Sequence, residues 1–326
     1  MPWRVLATPR SFCRSDGPHL SLLRDRGIEV ALRARDQPLK ASELAALISG
    51  FDGAILGLDE CDASVLARAD KLKVISRNGV GVDSIDLDAA SKREIVVTNA
   101  PGTNRTAVAE LTLALMLALA RGLVDVATRA KSGRWSRPTG WELGGKTLGI
   151  VGYGGIGREV AARAHHLGMA VIANDPVWPD DPGPAQPVSL DQLFREAQVI
   201  SLHAPLLKGT YHLVDARRLS LARPGAILVN TARGGLVDEA ALFEALTSGR
   251  LAGAAMDVFE NEPPSDSPLL ALDNFIATSH IGANTTESAA RANTLAAQNL
   301  LSVLSGEPCP NIVNAEALEV TRSHHA

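Results

Sequence analysis

Short apolar runs rich in branched residues, each followed by a polar stretch of helical character, recur along the chain. Over the first hundred residues WRVLAT, GIEVAL, DGAILG, LKVISR and IVVTN predict strands. Strands alternating with helices predict a parallel sheet covered on both faces. A second set, KTLGIVG, MAVIAND, AQVISLHAP, GAILVNTAR, LAGAAMDVF and NFIATSH, predicts another, larger parallel sheet. Between the sets lies the most apolar segment, AVAELTLALMLALARGL, from Ala107 to Leu123. Glu110 and Arg121 leave it a charge-free run of only about ten residues, too short to span a bilayer. A buried core or interface helix is expected. The Pro-rich stretch DPVWPDDPGPAQP at 175–187 is expected to be an exposed loop. TESAARANTLAAQNLLSVLSG, after the last strand of the second set, predicts a helix that returns to pack on the first sheet. The expected organisation is one domain built from 1–100 and 287–326, split by an inserted domain at 101–286.

Composition narrows the classes. A chain of 326 residues, 46% hydrophobic, can bury two cores. With 32 basic against 36 acidic residues and no run of like charge, a nucleic-acid footprint or a polybasic membrane patch is not expected, and the partner is a small molecule. Cys13, Cys61 and Cys309 are scattered without metal-ligand spacing, so neither a disulfide framework nor a metal site is expected. Arg4 and Arg10 flank an N-terminal run that reads as a strand and lacks the longer apolar core of a signal peptide, which predicts a cytoplasmic protein.

In TLGIVGYGGIGREV, Gly152, Gly154 and Gly157 form G-x-G-x-x-G directly after a predicted strand and at the start of a helix. Gly152 permits the tight turn, Gly154 lets backbone approach a pyrophosphate, and Gly157 lets helix and strand pack closely. Gly155 and Ile156 complete this cofactor-binding turn. Asp175 ends the next predicted strand, 18 residues after Gly157, where a carboxylate can accept hydrogen bonds from ribose hydroxyls and repel a 2′-phosphate. NAD is therefore expected in preference to NADP.

Arg233, Glu262 and His280 stand at or just past strand ends in the second set. The carboxyl ends of parallel strands are where such sheets bind ligands. Hydride transfer to a 2-oxo acid needs a cation to hold the carboxylate and polarise the ketone, and an acid for the new alkoxide. Arg233 and His280 supply these, and Glu262 can orient the imidazole.

At these residues the chain resembles the D-isomer-specific 2-hydroxyacid dehydrogenase family, and within it the D-3-phosphoglycerate dehydrogenase-like branch. SRNGVGVDSIDLDAA, AVAEL, GKTLGIVGYGGIGREV, NTARGGLVDE, AGAAMDVFENEPP and HIGANT carry the resemblance, in family order over nearly the whole chain. It implies an inserted Rossmann-type NAD-binding domain, a split flavodoxin-like substrate domain, an active site between the two, and a homodimer with the apolar helix at its interface. It also implies that Arg233 binds the substrate, His280 is the acid/base and Glu262 its partner. Val80 and Gly81 would clamp the carboxylate with Asn78 nearby, and Arg77 matches a phosphate-side arginine. Thr231, Ala232 and Asp257 would lie on the nicotinamide side, and His203, Ala204 and Pro205 beside the cofactor.

Several positions depart from the family pattern. Gly155 replaces a common pyrophosphate-binding arginine, Ser279 replaces the proline before the histidine and is expected to loosen that turn, and Gly57 and Leu58 stand where phosphoglycerate users carry an arginine. The sequence stops soon after the returning helix, so a serine-binding regulatory domain is not expected. The expected activity is NAD-dependent oxidation of a D-2-hydroxy acid or reduction of a 2-oxo acid. Phosphoglycerate is the first substrate candidate; glyoxylate, hydroxypyruvate and a phosphonate 2-oxo acid are alternatives. A dinucleotide-sensing, corepressor-like binding protein is the non-enzymatic alternative.

Overall fold

The computed structural model describes residues 2–316 and 318. Of the segment expected to complete the split domain, residues 317 and 319–326 lie outside the described residues. The chain divides into two compact units, Met1–Asn104 with Asn284–Ala326, and Arg105–Ala283.

The first unit holds β1 (Arg4–Ala7), β2 (Glu29–Leu32), β3 (Gly53–Leu56), β4 (Val74–Arg77) and β5 (Val96–Thr98). All pair in parallel, in the order β2-β1-β3-β4-β5, the flavodoxin-like arrangement. Alternate residues serve opposite faces, as strand geometry requires. Val5, Ile55 and Val74 pack with Phe12, Leu20 and Leu23 on one side, and Leu6, Leu56 and Ile75 with Leu44, Ile48 and Leu66 on the other. The first face is completed by the helix Thr286–Ser305, which contributes Ala296, Ala297 and Leu300, all fully buried. Thr285 caps that helix through Ser288 N at 3.1 Å, and Gly306, in the left-handed region, ends it. Ser76 Oγ on β4 donates to Ala296 O at 2.9 Å, so the late-arriving helix is bonded to the early sheet as well as packed on it.

The second unit holds β6 (Thr147–Val151), β7 (Ala170–Asn174), β8 (Ala185–Pro187), β9 (Val199–Leu202), β10 (Ala226–Asn230), β11 (Leu251–Met256) and β12 (Phe275–Ala277). Its parallel sheet runs β12-β11-β10-β9-β6-β7-β8. The order reverses between β6 and β9, the switch point at which doubly wound sheets bind dinucleotides.

Two expectations need correction. The Pro-rich stretch is a loop only in part, because residues 185–187 add strand β8 beside β7. An edge position makes this tolerable, since Pro187 lacks an N–H and an edge strand leaves one row of donors unpaired. The apolar segment is not one helix to Leu123: Arg105–Arg121 stops at Gly122, whose φ is 57°, and Leu123–Lys131 starts a second helix. The first helix buries Val108, Leu115 and Met116. Among the described residues, no single helix is long and apolar enough to cross a membrane.

Candidate active site

The glycine turn follows β6. Gly152 has φ 90°, and a Cβ there would overlap the backbone of His203 and Ala204. A Cβ on Gly157 would overlap Gly152 O. The first and third glycines are therefore fixed by close backbone approach inside the unit. Gly154 differs. A Cβ there meets nothing within 4 Å, so this face of the turn is open. Gly154 is also the N-cap of the helix Gly155–His166, and no side chain caps that end. Its first N–H groups have no partner inside the helix and carry the positive end of its dipole. An open, uncapped glycine helix start fits a dinucleotide pyrophosphate.

Asp175 follows β7. Its Oδ2 accepts from Tyr153 N at 2.6 Å and its Oδ1 from Val177 N at 2.8 Å, which aims the carboxylate beside the turn. Each oxygen keeps lone-pair capacity for a ribose hydroxyl. Tyr153 stacks on Trp178 with centroids 5.1 Å apart and donates its hydroxyl to Pro182 O at 2.5 Å, so the Pro-rich loop is fastened onto the glycine turn. His203, just past β9, lies within hydrogen-bonding distance of Ser201 Oγ at 2.8 Å, and burial pushes its imidazole down to about 3. The ring is neutral and suits a cofactor-side contact rather than proton transfer at neutral pH. Ala204 and Pro205 continue this loop.

Arg233 lies two residues beyond Thr231, just past β10. Asn230, fully buried at the end of β10, donates from Nδ2 to Arg233 O at 2.8 Å and accepts from Ala232 N at 3.0 Å. Thr231 Oγ1 pairs with Thr112 Oγ1 at 2.9 Å. Gly234 brings this turn to the next one, since a Cβ there would overlap the backbone of Phe259 and Glu260. That contact sets the Arg233 turn against the loop bearing Glu262.

Glu262 Oε2 lies 2.9 Å from His280 Nδ1, and Oε1 accepts from Phe259 N at 3.1 Å. Burial pushes the Glu262 carboxyl up, but the hydrogen bond and charge of His280, the Phe259 amide and the Arg233 charge outweigh it and hold the group below its usual range. Glu262 is thus an anion at neutral pH.

His280 has φ 55°, uncommon for a residue with a side chain, and buried Asp257 maintains it. Asp257 O accepts from His280 N at 2.8 Å. Its Oδ1 accepts from Thr278 Oγ1 at 2.6 Å and Ile281 N at 2.9 Å, and its Oδ2 from Gly282 N at 2.8 Å. The turn expected to loosen at Ser279 is therefore tied on both sides of it. Neither this bracing by Asp257 nor that by Asn230 was visible in the sequence, though a polar residue ending an apolar strand is the signal that pointed to Arg233 and His280.

In the first unit, Arg77 ends β4, is 7% exposed, and donates to Asn78 O at 2.6 Å. Asn78 Nδ2 donates to Asn293 Oδ1 at 2.9 Å, and Asn99 Nδ2 to Val80 O at 2.8 Å. The loop carrying Val80 and Gly81 is thus braced by the side chain of Asn99, just past β5, and by Asn293 of the returning helix. Gly57 N donates to Asp59 Oδ2 at 2.8 Å.

Residues 113–282 match the family model described as D-isomer specific 2-hydroxyacid dehydrogenase, NAD binding domain. A D-3-phosphoglycerate dehydrogenase of Methanocaldococcus jannaschii is 47% identical over 77% of this chain and 49% of its own; the chain spans about half that relative's length. A hydroxypyruvate reductase of Thermotoga maritima is 42% identical over 80% of this chain and 87% of its own. Among solved structures, a D-lactate dehydrogenase from Aquifex aeolicus, complexed with NAD and lactic acid, superposes with a TM-score of 0.81 at 30% identity, over 97% of this chain and 98% of that one. The family match spans the glycine turn and the Arg233, Glu262 and His280 positions, and the relatives extend the likeness into the other unit; the chain belongs to the D-isomer specific 2-hydroxyacid dehydrogenase family.

Proposed function

We propose that the protein is an NAD-dependent oxidoreductase interconverting a D-2-hydroxy acid and its 2-oxo acid. The observation that carries this reading is the 2.9 Å pair of His280 and Glu262 on a turn clamped by Asp257, with the Arg233 turn packed on the Glu262 loop. Gly152, Gly154, Gly155, Ile156, Gly157 and Asp175 hold the dinucleotide, with Thr231, Ala232, Asp257 and the loop His203–Pro205 (His203, Ala204, Pro205) on its other side. Bound NADH supplies the hydride. Arg233 holds the carboxylate and polarises the ketone; protonated His280 gives its proton to the oxygen that becomes the hydroxyl, and neutral His280 removes it in the reverse direction. Val80 and Gly81 are the proposed carboxylate clamp, with Arg77 and Asn78 behind them. The units at 1–104 with 284–326 and at 105–283 are the proposed substrate and NAD domains.

Phosphoglycerate is the first substrate candidate, and hydroxypyruvate and glyoxylate follow. A panel of 3-phosphohydroxypyruvate, hydroxypyruvate and glyoxylate with NADH and NADPH, with 3-phosphoglycerate and NAD for the reverse direction, tests the reading. Turnover of none, with NADH bound, favours the dinucleotide-sensing alternative. We further propose a cytoplasmic homodimer. Its support is the individually exposed apolar side chains Leu117, Leu123, Val124 and Trp135 and three free thiols, of which Cys61 is pushed up to about 12 by burial and nearby carboxylates. A monomeric mass in solution would sink the dimer.

Three expected results follow from the geometry. NAD(H) exceeds NADP(H) in kcat/KM, and Asp175→Ala narrows the gap. Glu262→Gln keeps the shape of the pair but removes the anion that holds the His280 ring by its Nδ1, so kcat falls in both directions while NADH binding is unchanged. An unchanged kcat, measured where chemistry limits the rate, would uncouple the two residues. At Gly57 a Cβ meets only ordinary contacts, with Asp59 Oδ2 at 3.5 Å and Pro9 at 3.7 Å. Gly57→Arg is therefore accommodated, and raises the preference for a phosphorylated substrate over an unphosphorylated one in competitive kinetics.

A further inference from the structure

The glycine turn lacks a cation of its own, yet a guanidinium lies on it. A Cβ on Gly155 would come within 2.8 Å of Arg105 Cζ and closer still to Nε. Arg105 is the first residue of the helix Arg105–Arg121, and Gly155 the first of the helix Gly155–His166. Two helix starts, each the positive end of a dipole, therefore meet at one guanidinium. Neither helix has an acidic residue in its first turn. Arg105 is exposed, and among the described residues it makes no hydrogen bond or ion pair. Three positive features at one point repel one another unless an anion is shared among them. Beside them Gly154 opens onto free space. Gly155 is also the condition for the arrangement, because any side chain there would displace the guanidinium.

We propose that Arg105 is a binding residue for the pyrophosphate of the cofactor, delivered from the neighbouring helix across the bare Gly155. The inference rests on the NAD-binding reading of this unit. It makes cofactor affinity depend on a residue outside the glycine motif and pairs the identities of positions 105 and 155: an arginine at one calls for glycine at the other.

The test is direct binding, measured by calorimetry and by NADH fluorescence on the full chain, with wild type, Arg105→Ala and Arg105→Lys. Because Arg105 is exposed at a helix start, the variants are expected to keep the wild-type melting temperature. Arg105→Ala raises the Kd of NADH and of ADP-ribose by about 10- to 100-fold, the worth of one charge-assisted hydrogen bond. It also flattens the dependence of Kd on ionic strength, since a screened attraction has been removed. Adenosine, which carries no phosphate, binds both proteins alike. Arg105→Lys keeps the salt dependence while losing part of the affinity. Unchanged NADH affinity in Arg105→Ala, or an equal loss with adenosine, would overturn the inference and leave the NAD reading standing. A wild-type protein that binds neither NADH nor ADP-ribose would overturn both.

Discussion

His280→Gln lowers the rate of 2-oxo acid reduction by about 10² to 10⁴, the usual worth of a positioned general acid, while NADH binds as tightly as before. Glutamine can still offer a hydrogen bond to the substrate oxygen but cannot deliver a proton and recover it. The loss therefore falls on kcat, and the pH limb set by the imidazole vanishes with it. Isolation of the effect is expected because His280 is held through its backbone. The 278–282 turn hangs on Asp257 through main-chain donors and Thr278, none of which involves the imidazole. Stopped-flow reduction with the wild type and the variant decides it. A variant within tenfold of wild type, or one that keeps the limb, removes His280 from the reaction.

Arg233→Gln is expected to cost roughly 2–4 kcal/mol in kcat/KM, about 30- to 1,000-fold, the range for removing one member of a charge-assisted carboxylate contact. KM for the oxo acid rises because the carboxylate loses its fork of donors, and kcat falls because the ketone is no longer polarised. Arg233→Lys recovers only part of this, since a point charge cannot replace two parallel N–H donors. The main chain should survive the change, because Asn230 holds residues 232 and 233 through backbone atoms and Gly234 sets the approach to Phe259. Steady-state kinetics against oxo-acid concentration read both effects. A rise in KM with unchanged kcat would restrict Arg233 to binding.

The difference between what was legible in the sequence and what was not follows physical lines. Runs such as VISR and AILVN declare themselves as buried parallel strands, because both faces of such a strand must be apolar. AQP does not, since an edge strand of three residues ending in proline carries the marks of a turn, and only pairing with β7 distinguishes it. Gly152, Gly154 and Gly157 were legible through spacing. The difference in their surroundings was not: one glycine lies against His203–Ala204, one against its own turn, and one against open space. Arg233, Glu262 and His280 stood out as polar residues after apolar strands. Asp257 carries the same mark but spends both carboxylate oxygens on the histidine turn. Arg105 was not legible at all. Its place over Gly155 arises from two helices packing side by side, and no spacing along the chain encodes that.

The returning helix has a consequence for biosynthesis. Strands β1–β5 leave the ribosome within the first hundred residues, but Ala296, Ala297 and Leu300, which cover one face of that sheet with Phe12 and Leu23, come at the far end of the chain. At about 5–20 residues per second, the intervening two hundred residues take roughly 10–40 s to synthesise. By the end of that interval the second unit has all its strands, the last ending at Ala277, and can fold, while the earlier sheet has waited with Val5, Ile55 and Val74 only partly covered. The nascent protein thus completes its later-made unit first, and a polypeptide released near residue 283 would carry one finished sheet and one with a bare apolar side, a natural target for chaperones and proteases.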